Sequence, residues 1–294
     1  MLLNKRIPLT YILNKIKYDI VIVFAIGVFF VTLSYKFHLP EIPLTIPVFL
    51  GTAISILLSF KLNQSYDRWW EARKVWGSIV NDSRSLTIQL GGFIKENEII
   101  IKKIVYRQIA WCYSLSNSLR KTDPLANLNQ FISEDELNHI KAHNNKPLAL
   151  LQLHSLDIKN LRNSNQLDSF AHIQLDNTLV RLCDAQGKAE RIKSTVFPVT
   201  YRKFLHYIIY IFVVTLSIAL NNLAYYYELS ILVLISSAFF LLEKSATHMQ
   251  DPFENKPTDT AMTAISQTIE INLKQLLNEK EVPVVKEPQE FYLK

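Results

Sequence analysis

The chain is short of the residues that usually carry soluble chemistry. Of its 294 residues only Cys112 and Cys183 are cysteines, which excludes a disulfide scaffold and a four-cysteine zinc site. Six glycines exclude a collagen repeat and argue against a glycine-rich phosphate cradle or a many-turned β-barrel. No HExxH, GxSxG, Walker or GxGxxG string occurs, so neither an enzyme activity nor a cofactor is expected. Charged residues make up 20 % against 49 % hydrophobic, which excludes a disordered chain. Length allows one or two domains.

The mean hydropathy of +0.11 conceals very apolar and very charged stretches that cancel. Four apolar runs stand out, at 20–34, 42–60, 204–227 and 229–242. A helix needs about 20 apolar residues to cross a bilayer. The second and third runs meet that length. The first does so with Tyr18 and Tyr35 as interfacial anchors, and the fourth is short. The expected spans are about 18–36, 42–62, 204–224 and 229–245. A second run follows the first after only 36–41, so the first is read as a span and not as a cleaved leader. Lys5, Arg6, Lys15 and Lys17 precede span one; Arg68, Arg73 and Lys74 follow span two; Arg202 and Lys203 precede span three; Lys244 and Lys256 follow span four. The outer loops carry only Lys36. The positive-inside rule therefore places both termini and the middle of the chain in the cytoplasm of a multi-pass membrane protein. The net charge of +6 is read as topology, with no nucleic-acid partner.

The middle reads as helical. A helix is expected over 99–119, another opening at Ser133 with Glu136 completing a capping box, and a third over 168–197; 144–165 is expected to be a linker. His139 and His143 stand at i and i+4, but a metal site needs a third ligand, and only His154 and His172 are near; no metal is expected. Cys112 and Cys183 are read as packed thiols.

The second span carries a pattern. Thr52, Ile56 and Phe60 are spaced by four, with Ser55, Ser59 and Asn63 beside them. Four residues rotate a helix about 40° past a full turn, so each trio is a slowly drifting stripe. A hydroxyl stripe in a membrane helix suits either packing against a neighbouring helix or a pore wall, and the spacing leaves both open. There follow Asn63-Gln64-Ser65-Tyr66-Asp67-Arg68-Trp69-Trp70-Glu71-Ala72-Arg73 and Val75-Trp76-Gly77. By themselves these residues read as an interfacial belt, with Arg68 paired to Glu71 at i+3.

The same string resembles the signature after the second span of the bestrophin family in its bacterial branch. Asp251-Pro252-Phe253 and the stretch 265–273 after span four are similar to that family's next landmark. The resemblance covers roughly 1–277 as one channel unit, with cytoplasmic parts 66–203 and 246–277 and a disordered tail at 278–294. It implies an all-α membrane protein with four transmembrane helices and a helical cytoplasmic domain, assembled as a homopentameric ring around a central pore. Arg68, Trp69, Trp70, Glu71, Arg73, Asp251, Pro252 and Phe253 are then motif residues. The neck falls on Thr52, Ile56 and Phe60, with Thr52 where the family more often has an aliphatic residue, and Ser55, Ser59 and Asn63 lie beside it. The cytoplasmic aperture falls on Phe170. The implied partners are further copies of the chain, membrane lipid and monovalent ions. Bacterial members lead to an expectation of sodium or potassium conduction, with a chloride or anion channel as the alternative and a secondary transporter as a reading from another class. Animal members place an acidic calcium clasp after the Pro-Phe step; here only Glu254 and Asp259 are acidic and Lys256 opposes them, so no calcium site is expected.

Overall fold

The computed structural model describes residues 7–37, 40–95, 97–195, 198–284 and 292. It is helical, with no strand among the described residues. The helices are α1 (Leu9–Lys36), α2 (Thr45–Phe93), α3 (Glu98–Leu119), α4 (Glu134–Lys141), α5 (Lys146–Asn163), α6 (Ser169–Ser194), α7 (Val199–Ala219), α8 (Tyr225–Gln250) and α9 (Met262–Leu276). The chain forms two compact units. One contains the described residues before Trp70 and those from 198 to 250; the other contains 70–195 and the described residues from 251 on.

The first unit holds α1, the start of α2, α7 and α8. Among the described residues these are the four helices long and apolar enough to cross a membrane. Their shared core is Ile16 and Val23 from α1, Ile54 and Leu58 from α2, Leu205, Ile209, Val213 and Leu216 from α7, and Leu232 and Phe240 from α8. Gly27 lets α1 approach α8 closely: a Cβ there would lie 2.7 Å from the Leu229 side chain and 2.9 Å from that of Leu232, so both would have to shift. Helix α8 has 26 residues, so the short apolar run at 229–242 extends at both ends through residues that include Glu228 and Glu243, both buried. Helix α2 has 49 residues, about 70 Å at 1.5 Å per residue, so more than half of it runs beyond any span of about 20 residues.

The second unit is a helical domain with its own core, including Trp76, Leu86 and Leu90 of α2, Ile104, Trp111 and Leu115 of α3, and Leu175 and Leu182 of α6. Local signals start its helices. Asn97 caps α3 by accepting from the Ile100 N–H, Ser133 caps α4 from the Glu136 N–H at 3.3 Å, and Asp168 caps α6. The 144–165 linker is a correction: α5 occupies most of it. Asn145 caps the Leu148 N–H, Pro147 opens the first turn, and Leu150, His154, Ile158 and Leu161 form a buried face at steps of three and four. Its Asn and His content hid that periodicity. Helix α6 ends at Ser194. Lys5, Arg6, Phe197 and most of the 278–294 tail lie outside the described residues.

Candidate pore-lining site

The two faces of α2 near residue 56 differ sharply. Ile54, Leu58, Lys61 and Ser65 are buried, while Thr52, Ser55, Ile56, Ser59, Phe60 and Asn63 are exposed. At about 100° per residue the two sets centre roughly opposite each other on the helix. Ile56 is 54 % and Phe60 62 % exposed, so the two bulkiest side chains of the stripe have no cover within their own chain. The hydroxyls need no neighbouring helix. Thr52 Oγ1 donates to the Val48 carbonyl at 3.0 Å and Ser55 Oγ to that of Gly51 at 2.8 Å, satisfying both donors on the helix itself. The stripe thus offers a face of apolar side chains with hydroxyl oxygens left as acceptors.

The motif residues that follow have packing roles. Arg68 Nε donates to the Gln250 carbonyl at the last residue of α8, which fixes that helix end against α2. Glu71 pairs with Arg191 at 3.1 Å. The last α8 carbonyl lacks a helical partner, which leaves it free to accept from the Arg68 guanidinium. Trp69 sits 6.0 Å from Tyr66, ring to ring; Trp70 is exposed, and Arg73 is half-buried. Asp251 pairs with Lys193 at 2.7 Å while its Oδ1 accepts from the Phe253 N–H at 3.2 Å. Pro252 is buried and its carbonyl accepts from the Thr260 N–H, and Phe253 is fully buried in the core.

Phe170 stands on the first turn of α6 and is 83 % exposed. Its backbone is held firmly: Asp168 Oδ1 accepts from the N–H groups of Phe170 at 2.7 Å and Ala171 at 3.0 Å. The Ala171 and Phe170 N–H groups in turn hold the Asp168 carboxyl below its ordinary range. The ring projects from a fixed base.

No group of three metal-ligating side chains occurs among the described residues. The His139 and His143 rings lie 4.8 Å apart, and the His143 Nδ1 sits 3.0 Å from the His139 carbonyl. Glu254 pairs with Lys256, and Asp259 accepts from the Lys256 N–H at 3.0 Å, so each carboxylate already has a partner. Cys112 is buried, which pushes its thiol up to about 12, but Cys183 is exposed, correcting its reading as packed. It lines a cleft between α5 and α6 with Leu148, Gln152 and Val180.

One cluster escaped sequence reading. Buried Lys61 bonds Glu243 at 3.1 Å and Thr247 at 2.9 Å. His206 stands between Glu243 at 3.6 Å and Asp19 at 3.8 Å, and Asp19 also meets Lys244 at 3.3 Å and the Tyr210 hydroxyl at 2.9 Å. The cluster ties α1, α2, α7 and α8 together. Each charge sits at the end of an apolar run and looks like a headgroup anchor in the sequence.

Against known proteins, a family model described as bacterial/fungal bestrophin protein matches residues 7–275. The chain is 31 % identical over 285 residues to the voltage-dependent anion channel-forming protein YneE of Escherichia coli O157:H7, covering 96 % of this chain and 93 % of that one. It is 29 % identical over 250 residues to the voltage-dependent anion channel-forming protein RSc3414 of Ralstonia nicotianae, covering 82 % of each. A crystal structure of a bacterial bestrophin homologue from Klebsiella pneumoniae superposes with a TM-score of 0.86 at 28 % identity, over 90 % of this chain and all of that one. With its four apolar helices and its helical second unit, the chain is a multi-pass membrane protein and belongs to the bacterial and fungal bestrophin family.

Proposed function

We propose that the protein is an ion channel that conducts anions through a pore shared by several copies of the chain. The observation that carries this reading is the uncovered stripe of α2. Ile56 and Phe60 expose large apolar side chains beside hydroxyls already bonded to their own helix. One helix per chain cannot enclose a pore, so copies must close a ring, and the resemblance makes the number five. In that ring Thr52, Ile56 and Phe60 form stacked constrictions of the neck, with Ser55, Ser59 and Asn63 alongside, and Phe170 forms the second constriction. Residues 1–277 act as one channel unit. The basic flanks put both termini and the helical second unit on the cytoplasmic side of the inner membrane, in contact with its lipid.

The names of the relatives speak of anions, and this favours the anion alternative over the sodium or potassium conduction expected from the bacterial branch. An uncharged neck does not select by simple charge. The ring edge of Phe60 carries positive potential and suits an anion stripped of part of its water.

The test is a planar-bilayer recording of the purified protein in a potassium chloride gradient. A reversal potential near the chloride equilibrium potential is expected. A value near the potassium potential would return the cation reading, and the absence of unitary steps would leave a transporter as the better account.

A further inference from the structure

Beside the buried cluster, α7 and α8 enclose a cavity of about 310 Å³ lined by Arg202, Lys203, His206 and Tyr207 of α7 and by Glu243, Lys244 and Thr247 of α8. We propose that this cavity seats the phosphate of an anionic glycerophospholipid.

Charge comes first. Glu243 is compensated by Lys61 and Asp19 by Lys244. Arg202 and Lys203 have no ion-pair partner among the described residues and are both exposed. Four cations against two carboxylates leave a surplus of two positive charges. Basic pockets between membrane helices are sites for phosphate headgroups. The guanidinium of Arg202 can bind two phosphate oxygens at once, and Lys203 adds a mobile point charge.

The apolar surroundings identify the rest of the ligand. Lys203, Tyr207 and Ile211 are spaced by four along α7, so one stripe passes from a cation through an aromatic ring to an aliphatic side chain. Tyr207 is 61 % and Ile211 54 % exposed, and Phe204 on the same helix is exposed as well. A free phosphate has no use for that stripe; an acyl chain does. The cavity volume lies at the lower end of the roughly 300–1,000 Å³ range of ligand pockets, enough for a headgroup with the chains left outside. Surplus positive charge without an unpaired carboxylate favours an anionic headgroup over a zwitterionic one.

The proposal rests on membrane insertion and not on ion selectivity, so it stands whichever ion the channel passes. Native mass spectrometry of the full chain in mild detergent tests it, with dioctanoyl phosphatidylglycerol, dioctanoyl phosphatidylethanolamine and inorganic phosphate as probes. Phosphatidylglycerol is expected to bind about tenfold tighter than phosphatidylethanolamine. Binding should weaken about tenfold in Arg202→Gln/Lys203→Gln and stay unchanged in Lys159→Gln/Lys188→Gln, which removes two exposed charges from the other unit. If the double variant does not purify, Lys203→Glu alone, at an exposed side chain, should weaken binding at least about threefold. Equal binding of the two lipids, or unchanged binding in Lys203→Glu, would overturn the proposal. So would displacement by inorganic phosphate at the lipid's own concentration, which would mark a soluble-anion site.

Discussion

Lys61 Nζ lies 3.1 Å from Glu243 Oε1, and the two side chains are 0 % and 4 % exposed. Lys61 directly follows Phe60, so the residue that anchors α2 to α8 is the chain neighbour of the bulkiest side chain in the proposed neck. Because successive residues point about 100° apart, the anchor faces the core while the ring faces outward. Any change in the pair acts on the placement of Phe60 through one peptide unit.

Breaking that pair should be costly. Lys61→Met leaves Glu243 buried without its cation and is expected to cost about 3–5 kcal/mol. Lys61→Met/Glu243→Met removes both charges and should recover most of the loss. Urea unfolding of the detergent-solubilised variants measures both. A single variant within about 0.5 kcal/mol of the parent would show that the pair is dispensable.

The two faces of α2 should respond differently to truncation. Ile56→Ala and Phe60→Ala shrink an apolar constriction, lower its dewetting barrier and should raise unitary conductance with little loss of stability. Leu58→Ala, at a side chain 3 % exposed, should cost about 2–5 kcal/mol and leave conductance nearly unchanged. Equal behaviour of Ile56→Ala and Leu58→Ala would place the pore elsewhere.

Asp259 gives a stability term with a definite sign. Burial pushes its carboxyl from 3.8 up to about 6, against the pull of the Lys256 N–H, and its Oδ1 has no partner. As pH rises from about 4 to about 6 the unfolded chain loses this proton first, so the folded state loses stability across that window. At about 1.36 kcal/mol per pH unit the gap amounts to about 3 kcal/mol, fully present above pH ~6. Asp259→Asn should therefore be more stable than the parent at neutral pH, with the advantage shrinking by about that amount towards pH ~4. Thermal unfolding across the range tests this, and an advantage independent of pH would contradict it.

Calcium should matter little to conductance. Glu254 is engaged by Lys256, and Asp259 is buried and already accepts from the Lys256 N–H, too few oxygens for an ion that takes six to eight. Recordings in calcium-free and micromolar calcium solutions should differ less than about twofold. A steep response removed by Glu254→Ala would refute the argument.

The sequence alone determined the helical class, the four apolar helices and the family, because bilayer length, charge-free composition and the string from Arg68 to Arg73 are local properties that survive in one dimension. It also determined the caps at Ser133 and Asp168, whose partners lie two or three residues away. Helix α5 was obscured because its buried face includes His154, and a polar residue on a core face breaks the apolar pattern without breaking the helix. The tertiary structure alone decided which face of α2 is uncovered, since a stripe spaced by four looks the same whether it meets a helix or a pore. It alone brought Arg68 to the Gln250 carbonyl and Glu71 to Arg191. It alone joined Lys61 to Glu243 across 182 residues. The physical reason is common to all three: a charged or apolar side chain shows its chemistry in the sequence, but its partner is set by which helices pack together, and spacing along the chain carries no record of that.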